Sequence, residues 1–136
     1  MKEITIAARI DSIPAVTDFV DEQLDQLNAS RKVHIQIAVA IDEIFSNIAK
    51  ISYGPEGGEA TVRVDMEDDP AAVVISFIDN GTPFDPLSEE DPDLTLEAEE
   101  RDIGGLGIYL VKKSMDGVYY EYKDGQNILT IRKLIG

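Results

Sequence analysis

Ile78-Asp79-Asn80-Gly81-Thr82-Pro83-Phe84-Asp85 follows directly on an apolar run from Ala71 to Ile78. That run is β-branched and bounded by turn residues, so it reads as a strand. An Asp at the end of a strand, followed by Asn-Gly, has two compatible readings. One is a turn, since Asp, Asn and Gly each favour the backbone shapes a turn needs. The other is a buried carboxylate that accepts a hydrogen bond from the exocyclic amine of adenine, an interaction contributing roughly 1.5–3 kcal/mol. Gly81 would then let the backbone approach a flat base closely.

Upstream of this stretch, Ala60–Met66 reads as a strand joined to Ala71–Ile78 through Glu67-Asp68-Asp69-Pro70, a connection short enough for a hairpin. Before it, a helix from about Ser30 to Tyr53 carries Val33, Ile37, Ile41, Ile44, Ile48 and Ile51, with steps of four, four, three, four and three. This is one core-facing stripe, and it places Ile51 in the core. Gly54-Pro55-Glu56-Gly57-Gly58 ends that helix. Glu3–Ile10 reads as a first strand, and Ser12 with Pro14 as the start of a first helix reaching about Asn28, Ser as its cap.

Downstream, residues of about 85–103 show no sustained period, and loops of roughly 20 residues inside a compact domain are usually functional or disordered. Gly104-Gly105-Leu106-Gly107 then opens a helix through Ile108, Leu110, Val111 and Met115. Val118–Tyr122 and Ile128–Arg132 form a hairpin around Asp124-Gly125. The order β-α-α-β-β-loop-α-β-β predicts an α+β fold: a two-layer sandwich whose mixed, mostly antiparallel sheet is covered by helices on one face. A single domain over 1–136 fits the length.

Composition narrows the function classes. With 27 acids against 12 Lys plus Arg the formal charge is −15, which repels phosphate backbones and anionic lipid. Neither direct nucleic-acid binding nor a membrane partner is expected, and no run approaches the roughly 18 apolar residues of a membrane span. With no Cys and with His34 as the only His, thiolate and two-His metal sites are excluded. A cytoplasmic location is expected.

Two further groups could carry chemistry. Glu43 and Asn47 are four residues apart, so they project from one flank of the helical stripe with Lys50 close by, while Asp42 points into solvent. Such polar positions either mark a helix boundary or line a cleft. The Gly-Gly-Leu-Gly run bares backbone N–H groups at a helix N-terminus, where the dipole favours phosphate. It is not a Walker loop, because no Gly-Lys-Ser/Thr ends it, and a Gly-rich hinge is its other reading.

Taken in order, these motifs resemble the GHKL ATP-binding fold of histidine kinases, gyrase-type ATPases and anti-sigma serine kinases. Asp42 to Tyr53 is similar to that family's N box, Asp79 to Asp85 to its first glycine box, and Gly104 to Asp116 to its second. Asp-Asn-Gly-x-Pro-Phe-Asp and the short length resemble the anti-sigma kinase branch. The resemblance implies ATP and Mg²⁺ as cofactors, with Asn47 as the Mg²⁺ ligand and Glu43 as the base for an attacking hydroxyl. It implies that Asp79 reads the adenine amine, that Gly81 packs under the ring, and that Gly104, Gly105 and Gly107 wrap the phosphates. Phe84, Leu106 and Thr130 join the nucleotide contacts on the same ground, Thr130 completing those to adenine. The acidic residues of about 85–103 become a mobile lid, within which Arg101 is a candidate γ-phosphate contact.

One position departs from the pattern. Many relatives carry His where this chain has Ile51, before Ser52-Tyr53. The implied function is a protein serine kinase that phosphorylates a small STAS-type anti-anti-sigma partner, sequesters a sigma factor and forms a homodimer. The alternative is a nucleotide-gated binding module without kinase activity. The catalytic domain of a sensor histidine kinase is disfavoured, because the chain begins at the first strand.

Overall fold

The computed structural model describes residues 1–88 and 103–135, with backbone alone for 103–106. Five strands form one sheet in the order β1-β2-β3-β5-β4: β1 (Lys2–Ala7), β2 (Glu59–Glu67), β3 (Ala72–Asp79), β4 (Gly117–Lys123) and β5 (Gln126–Leu134). Helices α1 (Ile13–Gln26), α2 (Arg31–Asn47) and α3 (Ile103–Ser114) complete the described elements. All four strand pairings are antiparallel, so the sheet is more uniform than the mixed one expected from the element order.

Alternation along the strands explains the two layers. On β3, Val73, Ile75, Phe77 and Asp79 are buried, and Val74, Ser76 and Ile78 between them are only half-buried. The buried set packs with Val62 and Val64 of β2 and Leu129 and Ile131 of β5 into one core. Val16, Val20 and Leu24 of α1, Ile37, Ile41, Ile44 and Phe45 of α2, and Ile108 and Val111 of α3 belong to the same core. Each such side chain contributes about 1.5–3 kcal/mol when fully buried. The opposite sheet face is mixed, with Val74 and Ile78 half-buried beside cross-strand hydroxyl pairs Thr5–Thr61 at 2.8 Å and Ser76–Thr130 at 3.2 Å.

Local chemistry fixes the ends of these elements. Ser30 is extended (φ −70°, ψ 160°), and its hydroxyl accepts from the Val33 N–H at 3.3 Å to cap α2. Ser12 does not cap α1 with its side chain, contrary to expectation. It ends a 3₁₀ turn, Ile10–Ser12, and has helical dihedrals itself, whereas a capping hydroxyl needs an extended backbone to reach back. The β4–β5 hairpin turns on Asp124 (φ 55°) and Gly125 (φ 77°), two left-handed residues in succession as a tight hairpin of this twist requires.

The end of α2 differs from a regular helix, and this corrects the place of Ile51. Ile51 is 49% exposed, and Ser52 is 5% exposed. Over Ile48–Ser52 the helix widens into a π turn, closed by the Tyr53 N–H donating to the Ile48 carbonyl at 3.0 Å, five residues back. A wider turn rotates each residue less about the axis, so the inward position arrives one residue late. We predict that Ile51→Ser changes stability by no more than about 0.5 kcal/mol, as for an ordinary surface site. Ile41→Ala should cost about 2–5 kcal/mol in the same urea titrations.

Candidate functional site

Asp79 ends β3 on the core side of the sheet and is 2% exposed. Its Oδ1 accepts from the Gly81 N–H at 2.9 Å and from Asn127 Nδ2 at 3.0 Å. Burial pushes its pKa up from the ordinary carboxylate value, and these two donors pull against that rise. Both donors meet the same oxygen, and Asp79 lines a cleft.

Asn127 lies directly opposite Asp79 on β5 and is 4% exposed. Its Nδ2 also donates to the Thr82 carbonyl at 2.9 Å, while its Oδ1 accepts from the Phe84 N–H at 3.0 Å and the Tyr120 hydroxyl at 2.5 Å. Burial foremost, with the charges of Asp85 and Asp79 adding to it, raises the Tyr120 pKa, so this phenol stays a donor. One side-chain amide therefore holds the Asp79 carboxylate, the turn after it and a tyrosine on the neighbouring strand.

A small, narrow cleft lies beside Asp79. Ile44, Ile48, Phe77 and Leu129 supply apolar wall, Phe84, Pro86 and Tyr120 another side, and Asn47, Ser52, Asp79 and Asn127 the polar groups. Gly81 is pressed against the end of the π turn: a Cβ there would overlap the Ser52 carbonyl, and the adjacent Thr82 N–H donates to that same oxygen at 2.7 Å. The absence of a side chain at Gly81 thus serves a close chain-to-chain approach. Tyr53 ties the same corner together, its hydroxyl donating to the Glu59 carbonyl at 2.7 Å and accepting from the Asn80 N–H at 2.9 Å.

Glu43 and Asn47 do share one flank of α2, and Asn47 Nδ2 donates to Glu43 Oε1 at 3.3 Å. That contact orients the amide, since it leaves the Asn47 Oδ1 as the acceptor free to meet a cation. The flank faces α3, where Gly107 lies so close to the Glu43 carboxylate that any Cβ would overlap it. Asp42 is exposed, as its position opposite the stripe requires. Gly104, Gly105 and Leu106 fall in the first turn of α3, which begins at Ile103. Of the lid expected at about 85–103, residues 89–102, Arg101 among them, lie outside the described residues, while Pro86–Ser88 form a 3₁₀ turn and Ile103 begins α3.

Thr130 is not where the resemblance put it. Strand period two sends Thr130 to the outer sheet face with its partner Ser76, whereas Asn127, Leu129 and Ile131 face the helices. Its expected place beside Asp79 is taken by Asn127. A signal for this was present: in an otherwise apolar strand, an Asn in phase with two core residues demands buried partners.

A magnesium ion usually takes few protein ligands and completes its shell with substrate phosphates and water. The single oriented Asn47 oxygen, with Glu43 beside it, fits that habit. Among the described residues no group of three or more His, Asp or Glu side chains could hold a metal alone. Nor is any described helix long and apolar enough to cross a membrane.

The two glycines predict opposite behaviour. Gly81→Ala sets a Cβ against fixed backbone and should lose about 1–3 kcal/mol in urea unfolding. Gly107→Ala meets only the end of a flexible side chain, so stability should change by no more than about 1 kcal/mol, since alanine also favours helix. The Glu43 carboxylate should swing aside, seen as a shift of the Asn47 side-chain amide resonances. A Gly81→Ala protein as stable as the wild type would contradict the nested turn.

Comparison with known proteins agrees with this geometry. Residues 6–133 match the histidine kinase-like ATPase domain. The serine/threonine-protein kinase BtrW of Bordetella bronchiseptica is 26% identical over 102 residues, covering 75% of this chain and 71% of the relative. The serine-protein kinase RsbW of Listeria monocytogenes is 34% identical over 98 residues, covering 68% of this chain and 61% of its own length. A crystal structure of the RsbU and RsbW domains of a Mycobacterium tuberculosis protein superposes with a TM-score of 0.68 at 17% identity, over 99% of this chain and 33% of that one. The fold is shared with that structure, and by its match over nearly the whole sequence the chain belongs to the histidine kinase-like ATPase domain family.

Proposed function

We propose that this chain binds MgATP in the cleft between α2, the end of β3 and β5, and acts as a protein serine kinase of the anti-sigma type. The observation that carries the reading is the cleft that Asp79 and Asn47 line together, with Asn47 hydrogen-bonded to Glu43 and the Glu43 carboxylate against Gly107 of α3. Asp79 accepts from the adenine amine, with Gly81 at the adjoining turn and Phe84 in the wall. Gly104, Gly105 and Gly107, with Leu106, present the first turn of α3 to the phosphates, where N–H groups and the helix dipole favour negative charge.

Mg²⁺ would supply charge neutralisation across the phosphates, held by Asn47. Glu43 takes the proton from a serine hydroxyl as its oxygen bonds to the γ-phosphorus and ADP departs. Residues of about 85–103 belong to the lid in this reading. The named kinases among the relatives support the activity. The partner set proposed by the same likeness is an anti-anti-sigma protein as phosphoacceptor, a sigma factor held in its absence, and a second copy of this chain, all in the cytoplasm.

A nucleotide-gated binding module is the second reading. It is favoured by Ile51, an exposed aliphatic residue at the place where many relatives carry His. One experiment separates the two: transfer of labelled γ-phosphate to a candidate STAS-type protein, by wild type and Glu43→Gln. The kinase reading predicts transfer by the wild type and a loss of about 10²–10⁴-fold in the variant, with nucleotide binding kept. Equal transfer by both removes Glu43 as the base. No transfer, with partner affinity that depends on ATP, selects the binding module.

A further inference from the structure

The described hydrogen bonds give Asn127 a role that Thr130 was expected to fill, and they define it more narrowly. We propose that Asn127 is the residue that sets base specificity, by holding Asp79 so that only an ionised, accepting oxygen meets the edge of the base. This rests on the reading of the cleft as a nucleotide site with the base at Asp79.

The orientation of the Asn127 amide is fixed by its neighbours. A backbone N–H can only donate, so the atom receiving Phe84 N–H at 3.0 Å must be the carbonyl oxygen. The Nδ2 group is therefore turned toward Asp79 Oδ1 at 3.0 Å and Thr82 O at 2.9 Å, and each of its hydrogens has an acceptor. Gly81 N–H adds a second donor to the same carboxylate oxygen. Donors to a carboxylate favour its charged form, against the burial that favours the neutral one. The other titratable group in the described lining is Tyr120 from β4, which is not a cation. From α2 the wall presents Ile44, Asn47 and Ile48, and from β5 Leu129, none of them charged. Nearby cations are thus absent from the described lining, and hydrogen bonding has to keep Asp79 ionised.

The consequence concerns which base fits. An ionised Oδ2 can only accept, so it pairs with the 6-amino group of adenine and opposes the 6-oxo group of guanine lone pair to lone pair. A protonated Asp79 carries an O–H and can donate to a 6-oxo group. Removing the Asn127 donor moves Asp79 toward that second state, and discrimination between the two bases falls. Asn127 is accordingly a positioning residue: it acts on the base through Asp79.

The test is calorimetric titration of the full chain with MgATP and with MgGTP, for wild type, Asn127→Leu and Asn127→Ser. Leu removes every polar contact at similar size. Ser falls short of Asp79 while leaving room for water to satisfy Phe84 and Tyr120, so it serves if the Leu protein does not fold. Thermal melts establish which variants are folded. The expected result is a wild-type preference for ATP and a fall of about tenfold or more in the ATP-to-GTP affinity ratio in the folded variants. Folded variants that lose affinity for both nucleotides equally, or keep the wild-type ratio, overturn the role of Asn127 and leave the base pocket standing. A wild type with no preference for ATP overturns the base pocket itself, and this inference with it.

Discussion

A carboxylate taken out of water at the end of a central strand is costly unless donors meet it, and at Asp79 the fold supplies them from two directions. The Gly81 N–H reaches back from the turn that follows, and Asn127 reaches across from β5. Both requirements constrain the chain well beyond the carboxylate. The turn can close only because Gly81 has no side chain to strike the Ser52 carbonyl. That carbonyl is in position because α2 ends in a π turn and not in regular helix. The register of β3 against β5 must place residue 79 opposite residue 127, and it does. Helix end, strand pairing and turn are thus all conditions of one buried charge.

The same arrangement connects the cleft at Asp79 with the Glu43–Asn47 pair. α2 carries Glu43 and Asn47 on the flank facing α3, then one turn later Ile48 and Ser52 against the Asp79 corner. One helix therefore sets the spacing between the Asp79 corner and the Glu43–Asn47 pair. α3 contributes in a similar way, because Gly107 lets it approach the Glu43 carboxylate directly. Its far end is tied to the sheet by Lys133 Nζ, which donates to the Ser114 carbonyl at 2.7 Å, and by Asp116, which accepts from the Leu134 N–H at 2.7 Å. Catalytic geometry of this kind depends on supports of this kind, since small displacements of a positioned group cost much of its effect.

The sequence made the element order and the core legible, because both periods are strong in it. The α2 stripe from Val33 to Ile48 and the alternation in β3 each leave one consistent face. Asp79, Glu43 and Asn47 were legible as well, as polar groups at positions where an apolar face meets an edge. Ile51 was misread because the stripe was carried on at the helical period through a turn that is wider, and nothing in Ile48-Ala49-Lys50-Ile51-Ser52 announces the widening. Thr130 differs for another reason: the resemblance alone points to it, whereas strand parity selects Asn127 for the inner face. Residues of about 85–103 have no period of their own, so only composition and resemblance bear on them in the sequence.

Asp79 as the acceptor that recognises a base is the claim on which the account turns. Calorimetric titration of MgATP into wild type and Asp79→Asn tests it most directly. Asn at this position can still accept from Gly81 and Asn127, but it then turns an amide N–H₂ toward the amine of adenine, donor against donor. The account predicts binding to the wild type and a loss of about tenfold to a hundredfold in a variant that remains folded. Equal affinity in the two proteins would contradict it.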